Sequence, residues 1–298
     1  NLPDVAVIPS EHFNTVLYTG GNGANETAID VSGVGFQPSF TWLKRRDGAA
    51  SHGLFDAVRG VNKILNSDAS DAEVTNQSDL LDEFQTDGFG LGVNAGAENV
   101  NKGGSTYVAW NWKANGSGSS NTNGSINTTK TSANVDAGFS MSTYSGNGTA
   151  GATIGHGLSK APEMIIVKRR SAVDGWGVYH SSLGATKVTN LDESGASYTY
   201  STAWNNTAPT TEVFSVGTWG GSNASSSTYI AYAFHSVDGY SKVGSYTANS
   251  NNDGPFVYTG FRPAYVLVKS SSYSNAETFW SVWDNKRPSY NVTNLQLY

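Results

Sequence analysis

The chain contains no cysteine, so it offers no disulfide framework and no thiolate for catalysis or metal binding. Charge is scarce too: only 14% of the 298 residues are Asp, Glu, Lys or Arg, and their balance is −6. A nucleic-acid surface needs a basic footprint, which that balance does not supply. Long apolar runs are also missing, with none near the ~18 residues of a membrane-crossing helix, so membrane insertion is not expected. The first residues lack a charged-then-apolar leader, and the chain opens on Asn1, as a fragment or processed form would. What is abundant is glycine, 34 residues, and aromatic side chains at 12%. Asn, Ser and Thr carry the solubility, a profile of short strands, many loops and aromatic anchors.

One stretch occurs three times, at 34–46, 156–171 and 258–270. Each copy runs Gly, a bulky apolar residue, Pro, an apolar run, then Lys (Lys44, Lys168, Lys269). Proline fixes φ and donates no N–H, so it sits before a strand more easily than within one. A run such as Met164-Ile-Ile-Val has no polar alternation and predicts a strand covered on both faces. Other segments match in the same order. Gly53 to Gly60 corresponds to Gly175 to Gly184, and Ser105-Thr-Tyr-Val-Ala-Trp corresponds to Ser227-Thr-Tyr-Ile-Ala-Tyr.

These repeats predict an all-β protein of tandem antiparallel β-sandwich, jelly-roll-like units. The expected divisions are an N-terminal arm at 1–12, repeat 1 at 13–114, a flexible linker at 115–124, repeat 2 at 125–238 and a partial repeat 3 at 239–298. The linker is read from its Gly/Ser/Asn composition, which has nothing apolar to bury, and predicts two units free to move. Residues 67–81 are acidic with interspersed alanines and fit a short helix or an irregular loop.

Few side chains fall into catalytic patterns. Gly146-Asn-Gly-Thr-Ala-Gly is literally a dinucleotide-loop string, but the residues after Gly151 have no helical pattern, so no cofactor is expected. Aligned repeats put Asp56, His180 and Asp284 in one slot, with Arg59 and Arg287 three residues on. That pattern predicts a turn staple rather than shared catalysis. The remaining histidines have no metal-ligand spacing. Acidic residues such as Asp82, Glu83 and Glu98 do not recur, so no glycosidase pair and no enzyme activity is expected. Lys44-Arg45-Arg46 and Lys168-Arg169-Arg170 read as solvated strand ends. Most tryptophans sit on strand-like stretches. Trp204 and Trp219 lie in polar loops, where an indole could stack on a sugar while Asn205 and Asn223 bond its hydroxyls, although core is the commoner fate of such rings.

The strings Val-Gly-Phe-Gln-Pro-x-Phe-x-Trp-Leu-Lys, Phe-Asp-Ala-Val-Arg-Gly, Thr-Tyr-Val-Ala-Trp-Asn-Trp-Lys-Ala and Gly-Pro-Phe-Val-Tyr-Thr-Gly-Phe-Arg-Pro-Ala are spread along most of the chain from Phe13. In them the chain resembles a repeat-domain family of bacteriophage tail-fibre and virion structural proteins, notably from phages of marine bacteria. The resemblance implies a virion location and a structural or host-attachment role. Its expected partners are other virion proteins, further copies of the chain in a homo-oligomer such as a trimer, and a host surface glycan. It carries over no catalytic residues. A non-binding architectural role and a polysaccharide depolymerase are the alternatives.

The third repeat has no copy of the Asp-Gly-Phe or Ser-Thr-Tyr strands. An open edge and an apolar face including Val266, Leu267, Phe279 and Trp280 are therefore expected, and proteins cover such edges. The candidates are the stretch 5–8, a second protein, or residues beyond Tyr298, with a neighbouring subunit favoured.

Overall fold

The computed structural model describes residues 7–21, 27–75, 80–93, 100–273, 278–287 and 297, so Glu98 and the start of the stretch 5–8 lie outside the described residues. The first unit contains β1 (Phe13–Thr19), β2 (Ile29–Ser32), β3 (Phe40–Arg45), β4 (Gly53–Asp56), β5 (Lys63–Asn66), β6 (Val74–Thr75), β7 (Leu81–Gln85), β8 (Gly88–Leu91) and β9 (Thr106–Trp112). Its large sheet has the order β1-β9-β3-β4-β5-β6, and β2-β8-β7 forms a second layer. The stretch 67–81 is loop apart from β6 and the start of β7, among the described residues.

The second unit repeats this plan with β10 (Lys130–Asn134), β11 (Phe139–Ser145), β12 (Ala152–Gly155), β13 (Met164–Arg169), β14 (Trp176–His180), β15 (Lys187–Asn190), β16 (Tyr198–Thr199), β17 (Val213–Val216), the single turn α1 (Gly220–Asn223) and β18 (Thr228–Phe234). Its large sheet runs β10-β11-β18-β13-β14-β15-β16, covered by β12-β17. The strand after the Gly146 string is β12, not a helix. In the third unit the described strands are β19 (Tyr265–Val268) and β20 (Ser281–Asp284), paired with each other. The all-β sandwich expectation holds.

Why these residues make these strands is clearest in β9. It is a central strand, so both faces must be apolar, and its period of two sends alternate residues to different cores. Val108, Trp110 and Trp112 join one cluster, and Ala109 joins another with Leu43, Phe55 and Phe89. The equivalent β18 does the same, with Ile230 and Tyr232 on one face and Tyr229, Ala231 and Ala233 on the other. Ahead of the proline in each copy of the unit a glycine takes positive φ, Gly35 at 86°, Gly157 at 73° and Gly260 at 87°, a turn that L side chains resist.

The faces turned away from the outer layers meet in one shared core. Phe40, Trp42, Leu54 and Trp110 of the first unit pack with Met141, Ile166, Val178 and Tyr232 of the second and Val282 of the third. Units that share a core do not move as separate bodies, which corrects the expectation of a flexible joint. The tract 115–124 is folded as well. Ser119 and Thr131 exchange backbone bonds of 3.1 and 2.6 Å, and the Asn121 N–H donates to Thr128 Oγ1 at 2.8 Å. Its small residues allow close approach: a Cβ on Gly118 would sit 2.2 Å from the Thr131 carbonyl oxygen. Low apolar content removed the usual reason to pack, but main-chain pairing with β10 replaced it.

The basic clusters depart from expectation in part: Arg46 is exposed at its strand end as expected, but the two lysines turn inward. Lys168 is fully buried, and its Nζ donates to the carbonyls of Ser70 at 3.0 Å and Asp174 at 2.7 Å. Burial pulls its pKa down to about 8, against the opposing charges of Asp192 and Asp174. Lys44 is 8% exposed and donates to the Ala50 carbonyl. Arg170 grips Glu73 of the first unit through two bonds of 3.0 and 2.7 Å. These cations close loops and join units, because the carbonyl-rich turns around them offer acceptors that water would otherwise supply.

Candidate functional site

Asp56 ends β4 and staples the following turn. Its Oδ1 accepts the Arg59 N–H at 2.9 Å and its Oδ2 accepts Arg59 Nε at 2.5 Å, while Arg59 Nη2 donates to the Leu54 carbonyl. Both side chains are completely buried. Asp284 and Arg287 repeat the arrangement, with 3.0 and 2.6 Å bonds and a bond to the Val282 carbonyl. The Asp-x-x-Arg reading as a local ion pair is thus met in both copies.

Each staple also receives a donor from another unit. Tyr232 Oη donates to Asp56 Oδ2 at 2.7 Å, from the second unit to the first. Trp110 Nε1 donates to Asp284 Oδ2 at 3.1 Å, from the first to the third. Trp110 and Tyr232 occupy the same place in β9 and β18, since Trp42 pairs with Trp110 and Ile166 with Tyr232 in matching register. In the second unit the aspartate's place is taken by His180, whose Nδ1 accepts the Ser182 N–H at 3.2 Å. Burial lowers the His180 pKa, with Glu163 and a Gly244 backbone bond opposing.

A second set of bonds runs in the same rotational sense. Trp176 Nε1 donates to the Asn66 carbonyl at 2.9 Å, and Trp280 Nε1 donates to the Asn190 carbonyl at 2.8 Å. The Glu73 N–H donates to the Arg170 carbonyl at 2.9 Å, and the Ser197 N–H donates to the Ser271 carbonyl at 3.0 Å. The third unit therefore sits on the second as the second sits on the first. Sequence reasoning missed these joints because each member is an ordinary strand or loop residue whose partner is far along the chain.

The sugar-stacking residues divide. Trp204 is 1% exposed and meets Tyr179 edge-on in the second unit's own core. Asn223 is fully buried, donating from Nδ2 to the carbonyls of Thr149 and Gly217 and accepting the Asn147 N–H. Neither can meet a glycan, which corrects that expectation: a polar loop sequence folded inward because the side chain of Asn223 satisfies the loop's backbone. Trp219 and Asn205 are half-buried. Trp219 lies against Gly177 and Gly221, which leave room for its ring, and meets Tyr200 edge-on at 5.6 Å. Tyr198 and Tyr200, 41% and 37% exposed, extend this aromatic surface. The alternation Tyr198-Thr-Tyr200 in a polar stretch was the signal that could have found it.

A larger concavity lies beside the third unit. It is a cleft of about 1220 Å³ whose lining includes Phe139, Phe234 and His180 of the second unit and Tyr240, Tyr265 and Leu267. Burial drives the Tyr265 phenol far above its ordinary pKa, and its hydroxyl has no hydrogen-bond partner among the described residues. Among the described residues no cluster of three His, Asp or Glu could hold a metal ion, and no helix is long and apolar enough to cross a membrane.

Fold and joints together define a protein of repeated β-sandwich units locked around one core. The chain belongs to the family described as Domain of unknown function (DUF7483), whose model matches residues 8–298. No curated protein matches it. No solved structure matches it either.

Proposed function

We propose that the chain is a structural protein of a bacteriophage particle, a tail-fibre or surface-appendage component that contributes to host-glycan attachment. The observation that carries this reading is the repeated set of buried joints between units. Asp56, Arg59, Asp284 and Arg287 are spent on internal bonds, so the most reactive-looking groups brace a scaffold. The virion location itself rests on the motifs quoted from the sequence. Attachment would use the Trp219–Tyr200–Tyr198 surface, where exposed aromatic faces suit sugar rings.

The burial of Trp204 and Asn223 favours a second reading, an architectural piece with no ligand. Gold-labelled antibody against this chain should decorate tails or particle surfaces, and labelling only outside particles would overturn the virion assignment. Glycan-array binding that falls at least tenfold in Trp219→Ala supports attachment. An array without signal selects the architectural reading, and release of reducing sugar from host polysaccharide would instead indicate a depolymerase.

A further inference from the structure

A smaller pocket, of about 260 Å³, opens where the first two units meet. The first unit contributes Val58 and Arg59 of the stapled turn and Lys63 at the start of β5. Val58 also belongs to the shared core, so the pocket lies at the core's rim. The second unit contributes Lys130 of β10, Thr143 and Ser145 of β11 and Thr228 of β18. A strand's period of two explains why these four stand together. Lys130 pairs with Thr143, Thr143 with Ile230 and Ser145 with Thr228, all on the sheet face that carries Met141 and Ile230 into the shared core. Arg170, just past β13, completes the cationic lining.

Four of the ten lining residues are cations and none is a carboxylate, in a chain that is only 14% charged and carries a balance of −6. Two of the cations are already matched. Arg59 bonds to Asp56 and Glu73, and Arg170 forks onto Glu73. Lys63 spends one bond on the Arg59 carbonyl at 2.7 Å. Among the described residues neither Lys63 nor Lys130 pairs with a carboxylate. Two positive charges are therefore left over, beside hydroxyls of Thr129, Ser145 and Thr228 that can donate.

The fold does not require this polarity. In the first unit Leu17 pairs with Val108 as Thr143 pairs with Ile230, so a leucine stands where the second unit has a threonine buried to 4% exposure. Lys130 is likewise an addition. Its strand β10 extends the second sheet past β11, whereas among the described residues the first sheet ends at β1. The pairing of Ser119 with Thr131 holds β10 in place.

We infer that this pocket binds a tetrahedral oxyanion, a phosphate or sulfate group, with Lys63 and Lys130 supplying the charge and the hydroxyls of Ser145 and Thr228 the directed hydrogen bonds. A phosphate monoester carries about −1.5 to −2 and three acceptor oxygens, which matches two surplus charges and donors arriving from two units. A carboxylate, with a single charge, leaves one lysine unmatched. The volume sits near the lower end of the about 300–1,000 Å³ usual for ligand pockets, room for the anion and a small group bearing it. Trp219 does not line this pocket, so the inference does not rest on the attachment reading.

The test is isothermal titration calorimetry of the full chain at ionic strength fixed with sodium chloride, using inorganic phosphate, sulfate, glucose 6-phosphate and acetate. The expected result is saturable one-to-one binding of phosphate, acetate at least tenfold weaker, and a thermal midpoint raised by phosphate because only the folded joint holds it. Lys130→Gln should weaken phosphate binding at least tenfold. Thr143→Leu, which installs the residue of the first unit, should do the same while the protein keeps its unfolding cooperativity. Lys187→Gln, exposed and outside the pocket, should change nothing. Tighter binding of glucose 6-phosphate than of phosphate assigns the anion to a sugar, and the reverse assigns it to the free ion; either supports the site. Neither saturable heat nor a raised midpoint with phosphate or sulfate overturns the proposal. So does acetate binding as tightly as phosphate, a Lys130→Gln protein that binds like the parent, or an equal loss in Lys187→Gln.

Discussion

Tyr232 and Asp56 stand 176 residues apart in sequence, and their side chains meet at 2.7 Å with no water access. The hydroxyl supplies a donor that the buried carboxylate needs beyond Arg59. Tyr232→Phe should therefore destabilise by about 1–3 kcal/mol, the range for a lost hydrogen bond to a charged group. Asp56→Ala should cost more, about 3–5 kcal/mol, because it removes the closer of the two carboxylates that pair with the buried Arg59, leaving only Glu73, and empties the acceptor of the Tyr232 hydroxyl. Denaturant unfolding of both variants checks this, and a neutral Tyr232→Phe would show the joint to be incidental.

Trp204 and Trp219 now separate cleanly. Trp204→Ala should lose about 3–5 kcal/mol of stability, as large-to-small changes in a packed core do. Trp219→Ala should lose clearly less, its ring being only half-buried. Equal losses in thermal denaturation would mean that Trp219 is also core and would remove the aromatic surface from consideration.

His156 is 1% exposed, accepts the Leu158 N–H on Nδ1 and donates from Nε2 to the Thr210 carbonyl. Burial lowers its pKa to about 4, the Thr210 bond opposing and His235 assisting. The unfolded chain, near 6.5, then binds the proton first as pH falls. Stability should decline from about pH 6.5 down to about 4 and level off below, by on the order of 3 kcal/mol from this group. His156→Gln should flatten that part of the pH profile, and an unchanged slope would assign the decline elsewhere.

Limited proteolysis distinguishes the two accounts of 115–124. That tract pairs with β10, whereas 245–258 is exposed and forms no strand. Cleavage should start within 245–258, as it does at exposed loops with few backbone bonds. First cuts inside 115–124, read by mass spectrometry, would restore the flexible linker.

Much of the fold could be read from the chain because each repeat carries its own local signals: a glycine turn, a proline, an apolar run and a lysine. The correspondence of the first two units followed from matching Ser105-Thr-Tyr with Ser227-Thr-Tyr. The staples were legible since Asp56 and Arg59 are three residues apart and recur as Asp284 and Arg287. What sequence could not show was where the second face of each large sheet goes. An alternating strand such as β9 demands two cores without saying that one of them is shared. For the same reason the lysines and Trp204 were misplaced outward, since loop composition reports polarity and not whether a loop satisfies its own backbone, as Asn223 does here.

The central claim is that the first two units unfold as one body through their common core and joints. Calorimetry of the full chain, compared with its van't Hoff enthalpy, tests it most directly. The account predicts a single transition carrying the melting of both units, with agreement between the two enthalpies and a shift of the whole transition by Tyr232→Phe. Two resolved transitions, only one of them moved by that substitution, would contradict it.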